Sequence, residues 1–370
     1  MEKQSPGNEV IKVLIVEDSL VCAEIIKHIL ETDPSIKVVG QARDGLEATE
    51  LVPLLKPDII TMDIHMPRMN GLEATEHIMA YNPTPILIVS SSIRDRDTEL
   101  AFQATQAGAL DVLEKPDPAI WESFAEIGNE LIHKVKLLSR VKVITHIRGK
   151  HKKRMSASSR ETEMRPHTVV RHAEAGVIVI GSSTGGPQAL ARVLAPLPKD
   201  FPLPIVVAQH ISEGFLTGFL NWLRTVSRLE VIEAKEMDEL VEGKIFVSPT
   251  NRNLAIVEPG VVELVQPKPN EYYNPSIDLL FSSAANVYRS GTIGVLLTGM
   301  GSDGARGLKK IFDLGGHTIA QSEETCVVFG MPKAAIDLGA AREVLPIDEI
   351  GERLRELGQQ YGKREVSQLT

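Results

Sequence analysis

The sequence is short of the residues that would mark a secreted, metal-stapled or membrane-spanning protein. Cysteine occurs twice in 370 residues, at Cys22 and Cys326, which fits neither a disulfide scaffold nor a cysteine-ligated zinc site. No apolar run reaches the roughly 18 residues that a membrane span requires. The opening residues, MEKQSPGNEV, hold no apolar signal-peptide core, so a reduced, cytosolic chain is expected. No aromatic residue interleaves the basic residues of the one strongly positive stretch, so base stacking on nucleic acid is not supported. A Gly-Lys-Ser/Thr phosphate loop is absent, and the second half shows no helix-turn-helix with a basic recognition helix.

At 370 residues the chain is too long for one ordinary domain, and two or three are expected. A composition of 43% hydrophobic and 24% charged residues supplies sizeable cores. The net charge of -9 is unevenly spread. Between Lys134 and Arg171 stand 12 Lys/Arg against two Glu, a local excess of +10 that leaves -19 for the remainder. Within this block the segment KHKKRMSASSRETEMRPHT has almost no apolar periodicity and cannot bury enough surface to order itself. Residues 139–174 therefore read as a basic flexible linker. Such a block could attract nucleic acid or an acidic protein surface, but a solvated tether is the plainer reading.

On either side of the linker, short apolar runs alternate with helical periods. In residues 10–138, Lys12–Val16, Ile36–Ala42, Pro57–Asp63, Pro85–Ser92 and Ala109–Pro116 read as five strands, each followed by a helix candidate such as LVCAEIIKHIL or GLEATEHIMA. This βα rhythm implies a parallel sheet covered on both faces. In residues 175–362, AGVIVIGSSTGG, PLPIVVAQH, KIFVSP and GTIGVLLTGMG end in Gly, Ser or His, as buried parallel strands do where they meet a loop. Two further runs join through Pro259-Gly260, a hairpin signal. The second domain is thus expected to be a doubly wound, mainly parallel α/β sheet with an antiparallel hairpin.

Ligands of open parallel sheets sit beyond the carboxyl ends of the strands. In the first domain those ends carry Glu17 and Asp18, then Asp63, then Ser90, then Lys115-Pro116. Three acids there would repel one another unless a hard divalent cation lay among them, and Mg²⁺ suits such oxygen donors. With metal and Lys115 neutralising charge and Ser90, favoured over Ser91, donating to a phosphate oxygen, Asp63 could accept a phosphoryl group. Any one of these residues alone has a duller explanation as a helix cap, a solvated loop residue or a turn. Together, IVEDS, MDIHMPRMNGLEA, the serine run and QAGALDVLEKP resemble the flavodoxin-like (βα)5 receiver domain of bacterial response regulators. The resemblance implies Asp63 as phosphoacceptor, Glu17, Asp18, Asp63 and the His65 backbone carbonyl as Mg²⁺ ligands, and a histidine kinase as phosphodonor. Receivers often place an aromatic switch residue three positions before the lysine. Here it is Val112, so a rotating ring cannot report phosphorylation.

In the second domain Gly181-x-Ser183-x-Gly185 lies between a strand and the helix PQALARVL, as in an elbow that lifts a serine above a sheet. Alone the pattern is weak, since Gly-Ser loops also make turns or bind phosphate. PIVVAQH then places His210 at the end of the next strand, where a lone histidine is ordinarily structural. GVLLTGM runs into GSDGA and Asp303, which taken singly reads as the N-cap of the helix GARGLKKIF. Serine, histidine and aspartate at three strand ends of one sheet are the parts of a nucleophile, its base and the group that orients the base. Their order, Ser, His, Asp, is not that of the α/β-hydrolases.

GSSTGGPQAL, VVAQHI, IFVSPTNRNL, NPSIDLLFSSAA, GVLLTGMGSDGARGL and GGHTIAQSEETCVVFGMPKAAI resemble the catalytic domain of the CheB-type protein-glutamate methylesterases of bacterial chemotaxis. The resemblance implies Ser183 as nucleophile, His210 as general base and acid, and Asp303 as its orienter. It adds an oxyanion hole near the Thr184 and Met300 amides and needs no cofactor for the ester chemistry. It further implies hydrolysis of glutamate γ-methyl esters on chemoreceptors, deamidation of receptor glutamines, a monomeric enzyme, and a receiver that covers the cleft until it is phosphorylated. Two places depart from the family. Ile211-Ser212-Glu213 stands where Met-Pro-x is common, and Tyr272-Tyr273-Asn274 stands where basic residues are common. The competing expectation is a response regulator whose output domain binds receptors without catalysis.

Overall fold

The computed structural model describes residues 10–91, 95–116, 121–143, 176–268 and 273–368. Most of the basic stretch expected to be a linker, from residue 144 to 174, lies outside them. The N-terminal domain runs β1 (Ile11–Val16), α1 (Leu20–Glu31), β2 (Ile36–Ala42), α2 (Gly45–Leu55), β3 (Ile59–Met62), α3 (Gly71–Tyr81), β4 (Ile86–Ser90), α4 (Asp95–Ala107), β5 (Asp111–Glu114) and α5 (Trp121–Leu138). Its sheet has the order β2-β1-β3-β4-β5, and every pair is parallel. Short polar residues start the helices: Ser19 accepts from the Cys22 amide at 3.4 Å, Asp44 from two amides, and Asn70 forms a capping box with Glu73. The strands are shorter than expected where Pro57, Pro85 and Pro116 stand, because proline has no N–H for the ladder.

The C-terminal domain runs β6 (Val177–Ser182), α6 (Gly186–Leu194), β7 (Ile205–Gln209), α7 (Leu216–Val226), β8 (Glu230–Glu233), β9 (Lys244–Val247), β10 (Asn253–Glu258), β11 (Val261–Val265), α8 (Ile277–Tyr288), β12 (Thr292–Leu296), α9 (Ala305–Asp313), β13 (His317–Gln321), α10 (Met331–Asp337), β14 (Glu343–Leu345) and α11 (Ile347–Gln368). A parallel sheet of order β14-β13-β12-β6-β7-β9-β8 forms the spine. The Pro259-Gly260 hairpin does not join it. β10 and β11 pair antiparallel as a separate ribbon whose Leu254, Ile256 and Val262 pack into the apolar cluster under α8. At the centre of the spine lie β12, β6 and β7, buried along their whole length. These are the three strands that carry the serine, the histidine and the loop to the aspartate.

Candidate active site

Ser183 and His210 are brought side by side by register. Ser182 pairs with Gln209 at the carboxyl ends of β6 and β7, and the His210 amide donates to the Ser182 carbonyl at 3.0 Å. The chain then turns into α6 through Gly185, whose φ of +75° and contact with the Val327 side chain leave no room for a β-carbon. Ser183 therefore stands at the start of a helix, where the N-terminal amides favour developing negative charge. His210 Nε2 lies 3.0 Å from Asp303 Oδ2. Asp303 is 4% exposed and does not cap the helix that follows it. Instead Oδ2 accepts from the Ile277 amide at 2.8 Å, and Oδ1 accepts from Asp278 at 2.9 Å and Gly304 at 3.0 Å. Its carboxylate thus closes the N-terminus of α8. Burial alone would raise the Asp303 carboxyl, but the His210 hydrogen bond and the α8 amides outweigh it and hold the group below the usual carboxylate range.

Two buried polar residues that sequence reasoning passed over hold this edge together. Gln209 Oε1 accepts from Ser182 Oγ at 2.6 Å, while its Nε2 donates to the Ser183 carbonyl at 3.0 Å and the His210 carbonyl at 2.7 Å. One side chain therefore ties the backbones of the serine and the histidine. The signal was a glutamine ending an otherwise apolar strand, VVAQH. Thr298 does the same work on the other side, accepting from the Val328 amide at 2.9 Å and standing 3.0 Å from the Thr184 carbonyl. The Ser183 β-carbon lies so near Gly299 that a side chain there would reach it within 2.7 Å, so the serine borders the Gly299-Met300 loop. Among the described residues, neither the Thr184 nor the Met300 amide donates to another protein group.

The N-terminal domain gathers its own cluster. Glu17, Asp18 and Asp63 offer carboxylate oxygens within 4.8 Å of one another, a set of hard donors that fits a divalent cation. Lys115 Nζ lies 2.7 Å from Glu17 and 2.9 Å from Asp63. Burial and the Asp63 charge push the Glu17 carboxyl up, and burial pushes Asp63 up despite the Lys115 ammonium. Asp63 also accepts from the Ile64 amide at 2.7 Å and from the amide of His65. Ser90 ends β4 beside Lys115, whose amide donates to the Ser90 carbonyl at 3.0 Å. Among the described residues its buried hydroxyl has no hydrogen-bond partner, an orphan of the kind a bound oxyanion would satisfy.

Residues 178–354 match the family model described as CheB methylesterase, and residues 13–120 match that of the response regulator receiver domain. Protein-glutamate methylesterase/protein-glutamine glutaminase 2 of Anaeromyxobacter dehalogenans (strain 2CP-C) is 44% identical over 352 residues, 95% of this chain and 98% of its own. Protein-glutamate methylesterase/protein-glutamine glutaminase of Nitrosospira multiformis is 40% identical over 359 residues, 96% of this chain and 99% of its own. The crystal structure of the Thermotoga maritima CheB methylesterase catalytic domain is 43% identical, covers 49% of this chain and 98% of its own, and has a TM-score of 0.48.

The chain belongs to the protein-glutamate methylesterase/protein-glutamine glutaminase family. In this family member the receiver rests on the methylesterase domain through α4. Phe102 of α4 is fully buried, with ring centroids 5.5 Å from Phe219, 5.9 Å from Trp222 and 6.5 Å from Phe215. Thr98 packs on Gly218, where a β-carbon would meet its hydroxyl at 2.1 Å. Gln188 of α6 reaches across, donating to the Ala109 carbonyl at 2.6 Å and to that of Thr105. Val328 is buried in the same apolar cluster as the receiver's Leu110 and Leu113, with Met300 and Val327 packed on it. The loops beside Ser183 are therefore under the receiver. Val112 is half-buried and pairs with Ile88 on β4. Among the described residues, no helix is long and apolar enough to cross a membrane.

Proposed function

We propose that Ser183, His210 and Asp303 carry out the family's hydrolysis of glutamate γ-methyl esters and of glutamine amides. The observation that carries the assignment is the His210–Asp303 hydrogen bond of 3.0 Å, made by an aspartate that three backbone amides lock in place. Because Asp303 engages Nε2, the Nδ1 atom of the ring is the one left to serve the serine. Ser183 Oγ attacks the γ-carbonyl carbon as Nδ1 takes its proton, and the oxyanion rests on the Thr184 and Met300 amides. The C–O bond breaks and methanol leaves with the proton from His210; from glutamine, ammonia leaves instead. Water then attacks the acyl-serine while His210 takes its proton, releasing glutamate and restoring Ser183. A serine-directed fluorophosphonate tests the assignment: the adduct maps to Ser183, and His210→Gln slows its formation by at least tenfold. Labelling elsewhere contradicts it.

The receiver supplies control. Residues 10–138 form the regulatory domain and 175–362 the catalytic one, joined by 139–174. Asp63 accepts a phosphoryl group from a histidine kinase, with Lys115 balancing charge and the orphan Ser90 hydroxyl donating to a phosphate oxygen. Glu17, Asp18, Asp63 and the His65 carbonyl would hold Mg²⁺, which supplies charge neutralisation when bound. Phosphorylation there loosens the α4–α7 contact and uncovers the cleft for chemoreceptor helices. The enzyme works as a cytoplasmic monomer and binds no nucleic acid.

A further inference from the structure

The first turn of α8, with the segment leading into it, touches the triad twice. Its Ile277 and Asp278 amides hold Asp303, and four residues earlier Tyr273 lies flat on His210, with ring centroids 5.1 Å apart and planes 9° from parallel. The phenol end reaches Gly301, next to Met300: a β-carbon on Gly301 would sit 2.3 Å from the Tyr273 hydroxyl, and a φ of +81° already favours glycine there. Tyr273 thus spans from the imidazole to the loop that carries the Met300 amide.

A hydrogen bond to Asp303 fixes one ring nitrogen and leaves the ring free to rock about that point. A parallel aromatic ring removes this freedom, because rocking either opens a gap or drives the two π faces together. The same face attracts positive charge, which the imidazole acquires only when it takes the serine proton. The restraint keeps the imidazole aligned for proton transfer and the attraction grows as the imidazolium forms, so both act on kcat rather than on substrate binding. From this geometry we infer that Tyr273 is a positioning residue for His210: its ring fixes the plane of the imidazole and favours the imidazolium during proton transfer. The inference rests on the assignment of His210 as base. It gives a role to one of the residues that depart from the family's usual sequence.

The test measures kcat and KM for a methyl-esterified receptor-helix peptide with the full chain, phosphodonor present, in wild type, Tyr273→Phe, Tyr273→Leu and His210→Gln. Phenylalanine keeps the stacking face and is expected to hold kcat within about twofold. Leucine is expected to lower kcat about tenfold, about 1.4 kcal/mol of barrier, with KM within about twofold. Should the leucine variant fail to fold, Tyr273→Gln carries the same comparison against Tyr273→Phe. Unchanged kcat in the non-aromatic variant overturns the inference, and so does a rise in KM alone, which would make Tyr273 a substrate contact. An equal loss in Tyr273→Phe also overturns it, since the hydroxyl and not the ring would then be responsible. Full activity in His210→Gln would instead remove the base assignment, a failure that the other variants leave distinguishable.

Discussion

Phe102→Ala offers the sharpest test of how the receiver restrains the enzyme. The ring is 0% exposed and lies among Phe215, Phe219 and Trp222, so its contacts are to the other domain's helix α7 and its 3-10 entry turn. Truncating a fully packed phenylalanine costs about 3–5 kcal/mol in a core. A domain interface can relax and admit water, so the lower end, about 3 kcal/mol, is the fair expectation. That shifts the docked-to-undocked ratio by roughly 100- to 200-fold. Because neither Asp63 nor Ser183 touches Phe102, phosphorylation and chemistry should survive. The assay is methanol release from a methylated receptor fragment with and without a small acyl phosphate. The variant should show a high basal rate and less than about twofold stimulation, while wild type is stimulated strongly. A folded variant whose basal rate stays at the wild-type level would refute the α4–α7 contact as the restraint.

Gln209→Leu removes three hydrogen bonds and takes from the Ser182 hydroxyl and the His210 carbonyl the partner this side chain supplies, while the Ser183 carbonyl keeps the Gly186 amide at 2.7 Å. Thermal unfolding should report a loss of about 2–3 kcal/mol, and kcat should fall more than KM rises. Asp303 sits below the usual carboxylate range, so its contribution to stability is present above about pH 3.8, its ordinary value, and is lost as pH falls through the lower folded value. The gap in unfolding temperature between wild type and Asp303→Asn should accordingly be open at pH 7 and close in acid; a pH-independent gap would contradict the clamp. Burial and the charge of Glu323 push the Cys326 thiol up to about 12, so iodoacetamide at pH 8 should leave Cys326 unmodified in the folded protein and alkylate it once urea unfolds the chain.

Strand ends were the most legible part of the molecule. In a doubly wound parallel sheet the residue after an apolar run stands at the functional edge, so Glu17, Asp63, Ser90, Ser183 and His210 could be placed from the pattern alone. Asp303 was harder. Taken singly it reads as the cap of the next helix, yet its carboxylate serves α8, which begins 26 residues earlier at Ile277, and no local signal carries that pairing. The edge strands β8 and β14 went unseen because Glu230–Glu233 has charged ends and Glu343–Leu345 spans only three residues. β13 stands out in the sequence only within the stretch GGHTIAQSEETCVVFGMPKAAI that resembles the family. Gln209 reads as one more strand residue; its value lies in hydrogen bonds to Ser182 and Ser183 at the end of β6 and to its own neighbour His210, which periodicity cannot report. Tyr273 is a departure in sequence, but its stacking on His210 depends on how the segment before α8 folds back. The Phe102 contact was equally hidden, since an apolar residue on α4 reads as core until a second domain is seen against it.

The most direct test of the account is methanol release from a methylated receptor fragment by wild type, Ser183→Ala and Asp63→Asn, each with and without acyl phosphate and Mg²⁺. The account predicts release by wild type that phosphodonor raises, none above background by Ser183→Ala, and a basal rate in Asp63→Asn that phosphodonor leaves unchanged. Release by Ser183→Ala equal to wild type would contradict the assigned chemistry, and stimulation of Asp63→Asn equal to wild type would contradict the assigned control.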